Sequence, residues 1–347
     1  MPVSFFRNWF HPFIILLLLL SRAESVNAQR MKSSVKQTSG YITQPKIGNS
    51  GSHQLFYTLF EPEDVPVKAT VLILHGMQEH SGRYADFARH LASSGLAVLI
   101  YDHLGHGKTA ENSEDLGFFQ DKQAKQQVIE DAQKMAIYLK EQQPDVPHFL
   151  LGHSMGSFIA RCLLQQAGDA FDGAIIVGTG GKITGIGFAK AFLGIGNFIA
   201  PKKRSRFVNN SFANMNNKRF KNEEGGDSTS WLSVSKTNRT AFSTDSLNGV
   251  PFTNNGFYTL VSLNRQATKR NWAKNISKDL PFLFVSGEDD PIGDFGKGVR
   301  KTVAQMQKDG FNDVDSKLYP GMRHEILNED IKEEVFVYIN DWVSKRI

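Results

Sequence analysis

Short runs of consecutive apolar residues alternate along this chain with stretches in which an apolar residue returns at every third or fourth position. The apolar runs lie at residues 69–74, 96–101, 149–151 and 173–177. Unbroken runs of this length are typical of strands that are covered on both faces. Residues 121–142 carry a helical stripe that Pro144 ends. Strands that alternate with helices favour right-handed crossovers in an α/β protein with a mostly parallel, doubly wound sheet.

The alternation stops near residue 180 and resumes after residue 270. Residues 181–270 are rich in Asn, Gly, Ser and Phe and follow neither the strand nor the helix period. Strand, helix, strand and helix patterns then follow at residues 281–285, 295–308, 314–319 and 331–343. We therefore expect a polar linker at 29–52 and one α/β unit, residues 53–180 and 271–347, interrupted by a single insert.

The first 28 residues have the pattern of an export signal. Arg7 supplies a positive charge, residues 13–20 are all apolar, and residues 26–28 offer a cleavage site before Gln29. The apolar run is shorter than the roughly 20 residues that a membrane-spanning helix needs. We expect a cleaved signal peptide and an exported protein, periplasmic or secreted. Two alternatives stay open, an uncleaved membrane anchor or a cytoplasmic protein whose translation starts at Met31.

Composition and charge limit the kinds of functional site that this chain can carry. The 347 residues include one cysteine, Cys162, which excludes an internal disulfide and a cysteine-built metal site. The net charge of +5 is unevenly distributed, because residues 182–270 hold 14 Lys and Arg against 4 Asp and Glu, which is +10 and leaves −5 elsewhere. A basic insert in a chain of this kind indicates a local anionic partner rather than a nucleic-acid-binding protein.

A strand, a glycine-flanked turn and a helix meet at Ser154. The turn reads Gly152-His153-Ser154-Met155-Gly156. A nucleophile elbow requires this order, because small residues two positions before and after the serine leave room for the tight turn that exposes its hydroxyl. The same pattern also occurs in turns without chemistry. Ser154 is therefore a candidate nucleophile whose case depends on partners elsewhere in the chain.

Two loops that follow the last two predicted strands supply those partners. A serine nucleophile needs a general base and a carboxylate that orients the base. Functional groups of doubly wound sheets gather at the carboxyl ends of the strands. We interpret His324 as the base and Asp290 as the carboxylate, in preference to Asp289 and Glu288, which we expect to be solvated. The resulting chain order of serine, aspartate and histidine is one that known triads use.

A tetrahedral intermediate also needs two backbone N–H groups directed at its oxygen. We expect one from Met155, the residue after the serine, and the other from Met77, in the loop after the strand at 69–74. Both roles use the main chain, so the two methionine side chains are free to line an acyl site.

Five motifs together resemble those of one branch of the α/β-hydrolases, the monoacylglycerol lipases and lysophospholipases, also labelled serine-aminopeptidase-like. The motifs are His75-Gly76-Met77-Gln78-Glu79-His80-Ser81-Gly82-Arg83-Tyr84, Asp102-His103-Leu104-Gly105-His106-Gly107, Gly152-His153-Ser154-Met155-Gly156, Gly287-Glu288-Asp289-Asp290 and His324-Glu325. The resemblance runs from about residue 55 to the C-terminus, outside the insert, and its first motif is more specific than the elbow. It departs from the mammalian lipases at Ser157, where a glycine is usual, and this leaves the candidate triad intact.

The resemblance implies an α/β-hydrolase fold with a cap inserted after the sixth strand, and a serine esterase that forms a covalent acyl-enzyme. Carried over by motif, Ser154 is the nucleophile, His324 the base, Asp290 its orienting carboxylate, and Met77 and Met155 the oxyanion donors. It also implies a small lipid ester substrate, either a monoacylglycerol or a lysophospholipid. No metal and no organic cofactor is required for this chemistry.

Two other motifs, a phosphate-binding loop and a zinc site, match this sequence less well. Residues 105–109 end like a phosphate-binding loop, but Asp102 stands where the first glycine is required. Histidine is a common zinc ligand, and the same region contains His75, His80, His103 and His106. The motifs that contain these histidines favour a hydrogen-bonding scaffold near the oxyanion site over a metal centre.

The insert should lie over the nucleophile and shape the substrate entrance. Residues 186–199 are rich in apolar and aromatic side chains, and a basic run at residues 202–206 follows them. One interpretation is a lid whose apolar face meets lipid while its basic residues meet an anionic membrane surface. The other is a cap whose apolar residues pack on the core and whose basic run is a solvated edge.

Two other functions are weighed against the esterase. A peptidase or amidase would use the same triad, but it needs an acidic anchor for a substrate amino group, and the insert is basic. A ligand-binding protein that kept the fold would lack part of the triad, whereas each member has a candidate here. No sequence feature points to nucleic acid, and none determines the oligomeric state.

Overall fold

The computed structural model describes residues 33–183 and 185–347 and places eight strands in one sheet. The strands are β1 (Val35–Pro45), β2 (Ser52–Pro62), β3 (Ala69–Leu74), β4 (Leu96–Tyr101), β5 (His148–His153), β6 (Gly173–Val177), β7 (Phe282–Gly287) and β8 (Val314–Tyr319). The helices are α1 (Ala85–Ser93), α2 (Ala124–Gln142), α3 (Met155–Ala167), α4 (Ile186–Ile199), α5 (Arg206–Asn217), α6 (Lys236–Thr244), α7 (Asn254–Ala267), α8 (Lys297–Lys308) and α9 (Lys332–Ser344).

The strands lie in the order β1-β2-β4-β3-β5-β6-β7-β8. The pairs β1–β2 and β2–β4 are antiparallel, and all pairs from β4 to β8 are parallel. Every residue of the five strands β3 to β7 is buried, which explains why they appear in the sequence as apolar runs. The predicted mostly parallel α/β sheet is confirmed.

The prediction of a linker at residues 29–52 is wrong for most of the described residues, because β1 occupies Val35–Pro45. β1 runs antiparallel to β2, with Val35 opposite Pro62 and Pro45 opposite Ser52. All of its residues are exposed or half-buried. Because an edge strand of this kind buries little apolar surface, its sequence is polar and lacks the apolar run that marks the inner strands.

Two apolar layers cover the sheet. α1 and α9 pack on one face, where the rings of Phe87 and Phe336 lie 4.9 Å apart between centroids. α2, α3, α7 and α8 cover the opposite face, and Met135, Leu163 and Leu263 are fully buried there. Since both faces are closed to water, the polar groups gather in the loops at the carboxyl ends of the strands.

The insert follows β6, the sixth strand, and α4, α5 and α6 belong to it. We call residues 186–249 the cap. α7 falls within the expected insert, 181–270, but it packs against α2 and α3, and Phe257 and Leu263 join the main core. The expected boundary at residue 270 therefore lies one helix too far along the chain. The Asn, Ser and Thr residues interspersed in α7 obscured its apolar stripe in the sequence.

The expected signal peptide, residues 1–28, and the alternative start at Met31 lie outside the described residues. Within the ranges given above, no helix has both the length and the apolar character needed to cross a bilayer. Where the chain resides in the cell is therefore still an expectation from the sequence.

Candidate active site

Ser154 lies in a strained turn between β5 and α3. Its backbone has φ 52° and ψ −117°, a positive φ that residues with a side chain rarely adopt. A Cβ on Gly152 would lie 2.3 Å from the carbonyl oxygen of Gly156, and one on Gly156 would lie 2.1 Å from that of Leu74. The turn therefore requires glycine at both positions, as an elbow that presents the serine hydroxyl above the sheet does.

The structure brings Ser154, His324 and Asp290 together. Ser154 Oγ lies 2.8 Å from His324 Nε2, and His324 Nδ1 lies 3.0 Å from Asp290 Oδ2. Because a carboxylate only accepts hydrogen bonds, Nδ1 carries the ring proton and Nε2 has its lone pair available for the serine proton. All three residues are buried, so the arrangement is held in a site from which water is largely excluded.

Asp290 is held by the loop after β7. The hydroxyl of Ser286 donates to Asp290 Oδ2 at 3.2 Å, and the backbone N–H of Ile292 donates to Oδ1 at 2.8 Å. The neighbouring Glu288 instead forms an ion pair with Arg300 near the surface. The structure therefore places Asp290 at the imidazole and directs Glu288 away from it.

The loop that carries Met77 lies directly against the serine. A Cβ on Gly76 would be 3.1 Å from Ser154 Cβ, so glycine allows this close approach. In the described part of the chain, the backbone N–H groups of Met77 and Met155 donate to no protein acceptor. Met155 is also the first residue of α3, where helix N–H groups are unpaired and favour negative charge.

A buried polar cluster supports this loop. The sequence alone indicated no role for these residues. Glu79 Oε1 accepts hydrogen bonds from the backbone N–H of Gly76 at 2.5 Å and from the hydroxyl of Tyr84 at 2.6 Å. His153 Nδ1 lies 2.7 Å from the Tyr84 oxygen and 3.3 Å from Glu79 Oε1. His153 Nε2 lies 3.1 Å from the carbonyl oxygen of His324. The cluster therefore joins the Met77 loop to the His324 loop beneath Ser154.

The hydrogen bonds of this cluster limit the proton positions on His153. Its Nε2 must donate, because it faces a carbonyl oxygen. With Glu79 ionised, Tyr84 directs its only proton to that carboxylate, and His153 Nδ1 is then a donor as well, as in an imidazolium. Burial lowers the pKa of His153, but the hydrogen bond and negative charge of Glu79 outweigh burial and raise it. Burial likewise opposes ionisation of Glu79, yet His153 and Arg83 hold its pKa well below the ordinary value.

Three of the four histidines that resemble zinc ligands, His75, His103 and His106, form a buried scaffold beside the oxyanion loop. His75 Nε2 accepts from the backbone N–H of His103 at 3.0 Å, and His75 Nδ1 donates to the carbonyl of Gly76 at 2.7 Å. Burial lowers the pKa of His75 to about 4 and that of His106 to about 3. In the described residues, no group of His, Cys, Asp and Glu is arranged to hold a metal ion.

The cap is anchored to the loop that carries His324. The backbone N–H of Glu325 donates to the carbonyl of Leu232 at 2.8 Å. Glu325 Oε2 accepts from Arg83 at 2.5 Å and from the side chain of Asn238, on α6, at 2.6 Å. The indole of Trp231 lies beside the imidazole of His324, with ring centroids 5.1 Å apart and planes inclined by 32°. No motif in the sequence indicated Trp231, because its role follows from where the cap folds back.

A second anchor joins the cap to the oxyanion loop. The side chains of His80 and Asp245 meet at 2.8 Å, and the backbone N–H of Gly249 donates to the carbonyl of Gln78 at 2.8 Å. The cap therefore contacts both the base and the loop that carries Met77.

One helix of the cap exposes most of its apolar side chains. The exposed apolar residues of α4 are Phe188, Phe192, Ile195, Phe198 and Ile199. Phe188 is 87% and Phe198 89% exposed, whereas only Ile186 and Leu193 of this helix are buried. The interpretation in which the apolar residues of this stretch pack on the core therefore does not describe α4.

Comparison with known proteins assigns the chain to a family. A family described as serine aminopeptidase, S33, matches residues 65–331. The chain belongs to this family. Among known proteins, monoglyceride lipase of Mus musculus is 25% identical over 316 residues, which cover 88% of this chain and 92% of that protein.

Solved structures agree with the S33 assignment. A thermostable carboxyl esterase from Bacillus coagulans, solved in complex with glycerol, has a TM-score of 0.79 at 27% identity, over 89% of this chain and 98% of that one. A monoglyceride lipase from Saccharomyces cerevisiae shares the fold, with a TM-score of 0.68 at 20% identity over 88% of this chain and 96% of that one. This S33 protein is an α/β-hydrolase of the monoglyceride lipase branch and a serine hydrolase of the lipase and esterase type.

Proposed function

We propose that this chain hydrolyses carboxylic esters of lipids through a covalent acyl-enzyme, with Ser154 as nucleophile, His324 as base and Asp290 as the orienting carboxylate. The main support is the 2.8 Å contact between Ser154 Oγ and His324 Nε2, with Nδ1 of the same ring 3.0 Å from Asp290. A serine hydroxyl is a weak nucleophile by itself, and such a contact removes its proton as it attacks.

The reaction proceeds in two halves. Ser154 Oγ bonds to the ester carbonyl carbon as His324 Nε2 takes the hydroxyl proton, and the imidazolium gives that proton to the leaving alcohol oxygen. A water molecule then transfers a proton to Nε2 and attacks the acyl carbon. The bond from Ser154 Oγ to that carbon breaks, the proton returns to Oγ, and a fatty acid leaves. Asp290 stabilises the imidazolium without taking a proton itself.

The backbone N–H groups of Met77 and Met155 hold the oxyanion in both halves. Two features support this role, the position of Gly76 against Ser154 and the place of Met155 at the start of α3. Loss of one such donor typically costs about 10²–10³ in rate.

Monoacylglycerols are the substrate class that we favour, with lysophospholipids as the second choice. The mouse relative is named a monoglyceride lipase, and the Bacillus coagulans esterase was solved with glycerol. The apolar and aromatic side chains of α4 suit an acyl chain or a lipid surface.

The cap is our candidate for contact with an anionic membrane surface. The exposed apolar side chains of α4 are followed directly by Lys202, Lys203, Arg204 and Arg206. A helix with exposed aromatic residues beside a basic cluster has the composition of a peripheral membrane contact.

Export is the localisation that we propose, from the signal-like residues 1–28 alone. Sequencing the N-terminus of the mature protein is the test. A mature chain that begins at Gln29 would support export, whereas one that begins at Met1 or Met31 would contradict cleavage.

The function is tested by ester hydrolysis with wild-type protein and three variants, Ser154→Ala, His324→Ala and Asp290→Asn. We expect Ser154→Ala and His324→Ala to lower kcat by at least about 10⁴-fold on short and long p-nitrophenyl esters. Ser211→Ala, which removes an exposed hydroxyl on α5, is the matched control and should retain the wild-type rate.

Different substrates separate the alternatives. Monoacylglycerol and lysophospholipid assays rank the two lipid classes, and an aminoacyl p-nitroanilide reports a peptidase. Equal ester hydrolysis by wild type and Ser154→Ala would contradict the proposed mechanism. Turnover of the anilide alone would identify a peptidase, and a folded wild-type protein without any activity would favour a ligand-binding protein.

A further inference from the structure

Two aromatic rings lie beside the imidazole of His324. The indole of Trp231 is one neighbour, with centroids 5.1 Å apart and ring planes inclined by 32°. The imidazole of His153 is the other, 4.9 Å away at an inclination of 41°. Both neighbours are buried, and His324 itself is only 2% exposed. The His324 ring is therefore surrounded by protein groups, these two rings among them, rather than by water.

Trp231 is held rigidly in this position by the cap. Its backbone N–H donates to the side-chain oxygen of Asn217 at 3.1 Å, and the ring of Phe212 meets its indole edge-on at 6.1 Å. On either side of Trp231, the carbonyl of Ser230 accepts from the Arg323 guanidinium at 2.6 Å, and that of Leu232 accepts from the Glu325 backbone. The indole and the imidazole are thus fixed relative to each other.

Several charged groups surround the His324 ring. Asp290 binds its Nδ1, and His153, whose own partner is Glu79, lies beside it. Arg323 and Glu325 flank it in the chain, but each is paired, Arg323 with Glu223 and Glu325 with Arg83. The charges not neutralised by neighbours of their own are accordingly those of Asp290 and of the imidazolium that forms on His324. The indole of Trp231, 5.1 Å away between centroids, is an uncharged neighbour of the ring.

We propose that Trp231 is a positioning residue that stabilises the imidazolium form of His324 during ester hydrolysis. The proposal rests on the proposed function, because it assigns His324 the role of base. An indole face attracts a cation within about 6 Å of its centroid, and the attraction is greater where water is excluded. The 5.1 Å separation meets this condition. The indole then favours proton transfer from Ser154 to His324.

The pH profile of kcat/KM reports this effect, because its acid limb follows the pKa of the base in the free enzyme. Without the indole, the imidazolium is less stable, so we expect the acid limb to move to lower pH. We expect a shift of about 1 unit for Trp231→Leu. On the plateau, kcat should fall about tenfold while KM changes little, since the ring acts on the base rather than on the substrate.

The experiment compares wild type, Trp231→Phe and Trp231→Leu in p-nitrophenyl ester hydrolysis between pH 4 and 9. Trp231→Phe keeps an aromatic face and should shift the acid limb by less than Trp231→Leu. Trp272→Leu is the matched control, because it truncates another buried tryptophan, one that lies 4.2 Å from the Arg161 guanidinium. It should lower the melting temperature without moving the acid limb.

The possible outcomes either support or overturn the proposal. An acid limb that stays in place in a folded Trp231→Leu overturns it. If that variant does not fold, Trp231→Phe decides, since an unchanged limb and an unchanged kcat would overturn the proposal as well. An active Ser154→Ala would instead refute the proposed function. A wild-type enzyme that depends on Ser154 while Trp231 has no effect would refute this inference alone.

Discussion

The backbone N–H of Arg323 donates to the carboxylate of Glu329 at 2.9 Å, one residue before His324. The same carboxylate accepts from the hydroxyl of Ser233 at 2.6 Å and from the backbone N–H of Val234 at 3.1 Å, both in the cap. Glu329 is buried, so these bonds form away from water. One side chain therefore bonds to both the cap and the loop of the candidate base.

Glu329→Gln is expected to loosen both elements. The amide has one accepting oxygen and brings donors of its own, so at least one of the buried N–H groups loses its partner. Hydrogen bonds to charged groups contribute about 1.5–3 kcal/mol each, and we expect a loss of about 2 kcal/mol in the free energy of unfolding. kcat should fall as well, because His324 is less firmly held. Urea unfolding and ester hydrolysis measure the two effects.

Asp330→Asn is the control for that variant, since this neighbouring carboxylate is exposed. It should leave stability and activity within a few tenths of a kcal/mol of wild type. A Glu329→Gln protein as stable as Asp330→Asn would contradict the role given to Glu329.

Gly156→Ala should prevent the elbow from closing. The new Cβ would lie 2.1 Å from the carbonyl oxygen of Leu74, which belongs to the inner strand β3 and has no room to move. We expect a loss of about 3 kcal/mol in stability, the upper end for overpacking, together with loss of ester hydrolysis. Gly187→Ala, on α4, is the matched substitution, because its Cβ meets nothing within 4 Å. It should raise stability by up to about 1 kcal/mol, and equal unfolding midpoints for the two variants would contradict the steric argument.

Local sequence signals predicted the core of the fold and the three side chains that meet at the candidate site. Ser154 lies in a motif whose glycines are required by the turn itself, and Asp290 and His324 follow strands that the apolar pattern reveals. These residues are therefore visible without knowledge of tertiary contacts. β1 was missed because an exposed edge strand has no apolar run, and α7 was placed in the insert because polar residues interrupt its stripe.

The residues that support the site could not be predicted in this way. Trp231 reaches His324 only because the cap folds back, and no spacing in the sequence relates the two residues. Glu329 follows His324 closely in the chain, but its partners Ser233 and Val234 lie in the distant cap. Glu79 lies in a quoted motif, but its role appears only when His153 and Tyr84 are placed around it. Catalytic residues that lie in local motifs can thus be predicted from the sequence, whereas the long-range contacts that position them cannot.

Glu79 and Glu325 should affect stability in opposite directions with pH. Burial opposes ionisation of Glu79, but His153 and Arg83 depress its folded pKa, so its contribution is present above the ordinary value of about 4.3 and is lost as pH falls below it. Burial dominates at Glu325 and raises its folded pKa, so its ionisation costs stability at neutral pH. We expect Glu79→Gln to lose about 3 kcal/mol at pH 7, and Glu325→Gln to lose less.

Thermal unfolding at pH 7 and at pH 4 checks the pH trend for Glu79 and the relative size of the two losses. The penalty of Glu79→Gln should shrink at the lower pH, because the wild-type carboxylate begins to lose its own advantage there. Glu141→Gln, an exposed carboxylate at the end of α2, is the control and should behave like wild type at both values. A larger penalty for Glu325→Gln than for Glu79→Gln at pH 7 would show that the assignment of the two carboxylates is reversed.

The exposed face of α4 should determine binding to lipid vesicles. Phe188 and Phe198 are almost fully exposed in water, and burial of a phenylalanine contributes about 1.5–3 kcal/mol. Phe198→Ser should therefore weaken binding to anionic vesicles about tenfold or more, measured by co-sedimentation. Neutral vesicles should bind wild type less well, because the basic residues at 202–206 lose their anionic partners. Ile137→Ser, which removes an exposed apolar side chain from α2, should bind as wild type does. Equal weakening by Ile137→Ser and Phe198→Ser would mean that the apolar contribution is not specific to the cap.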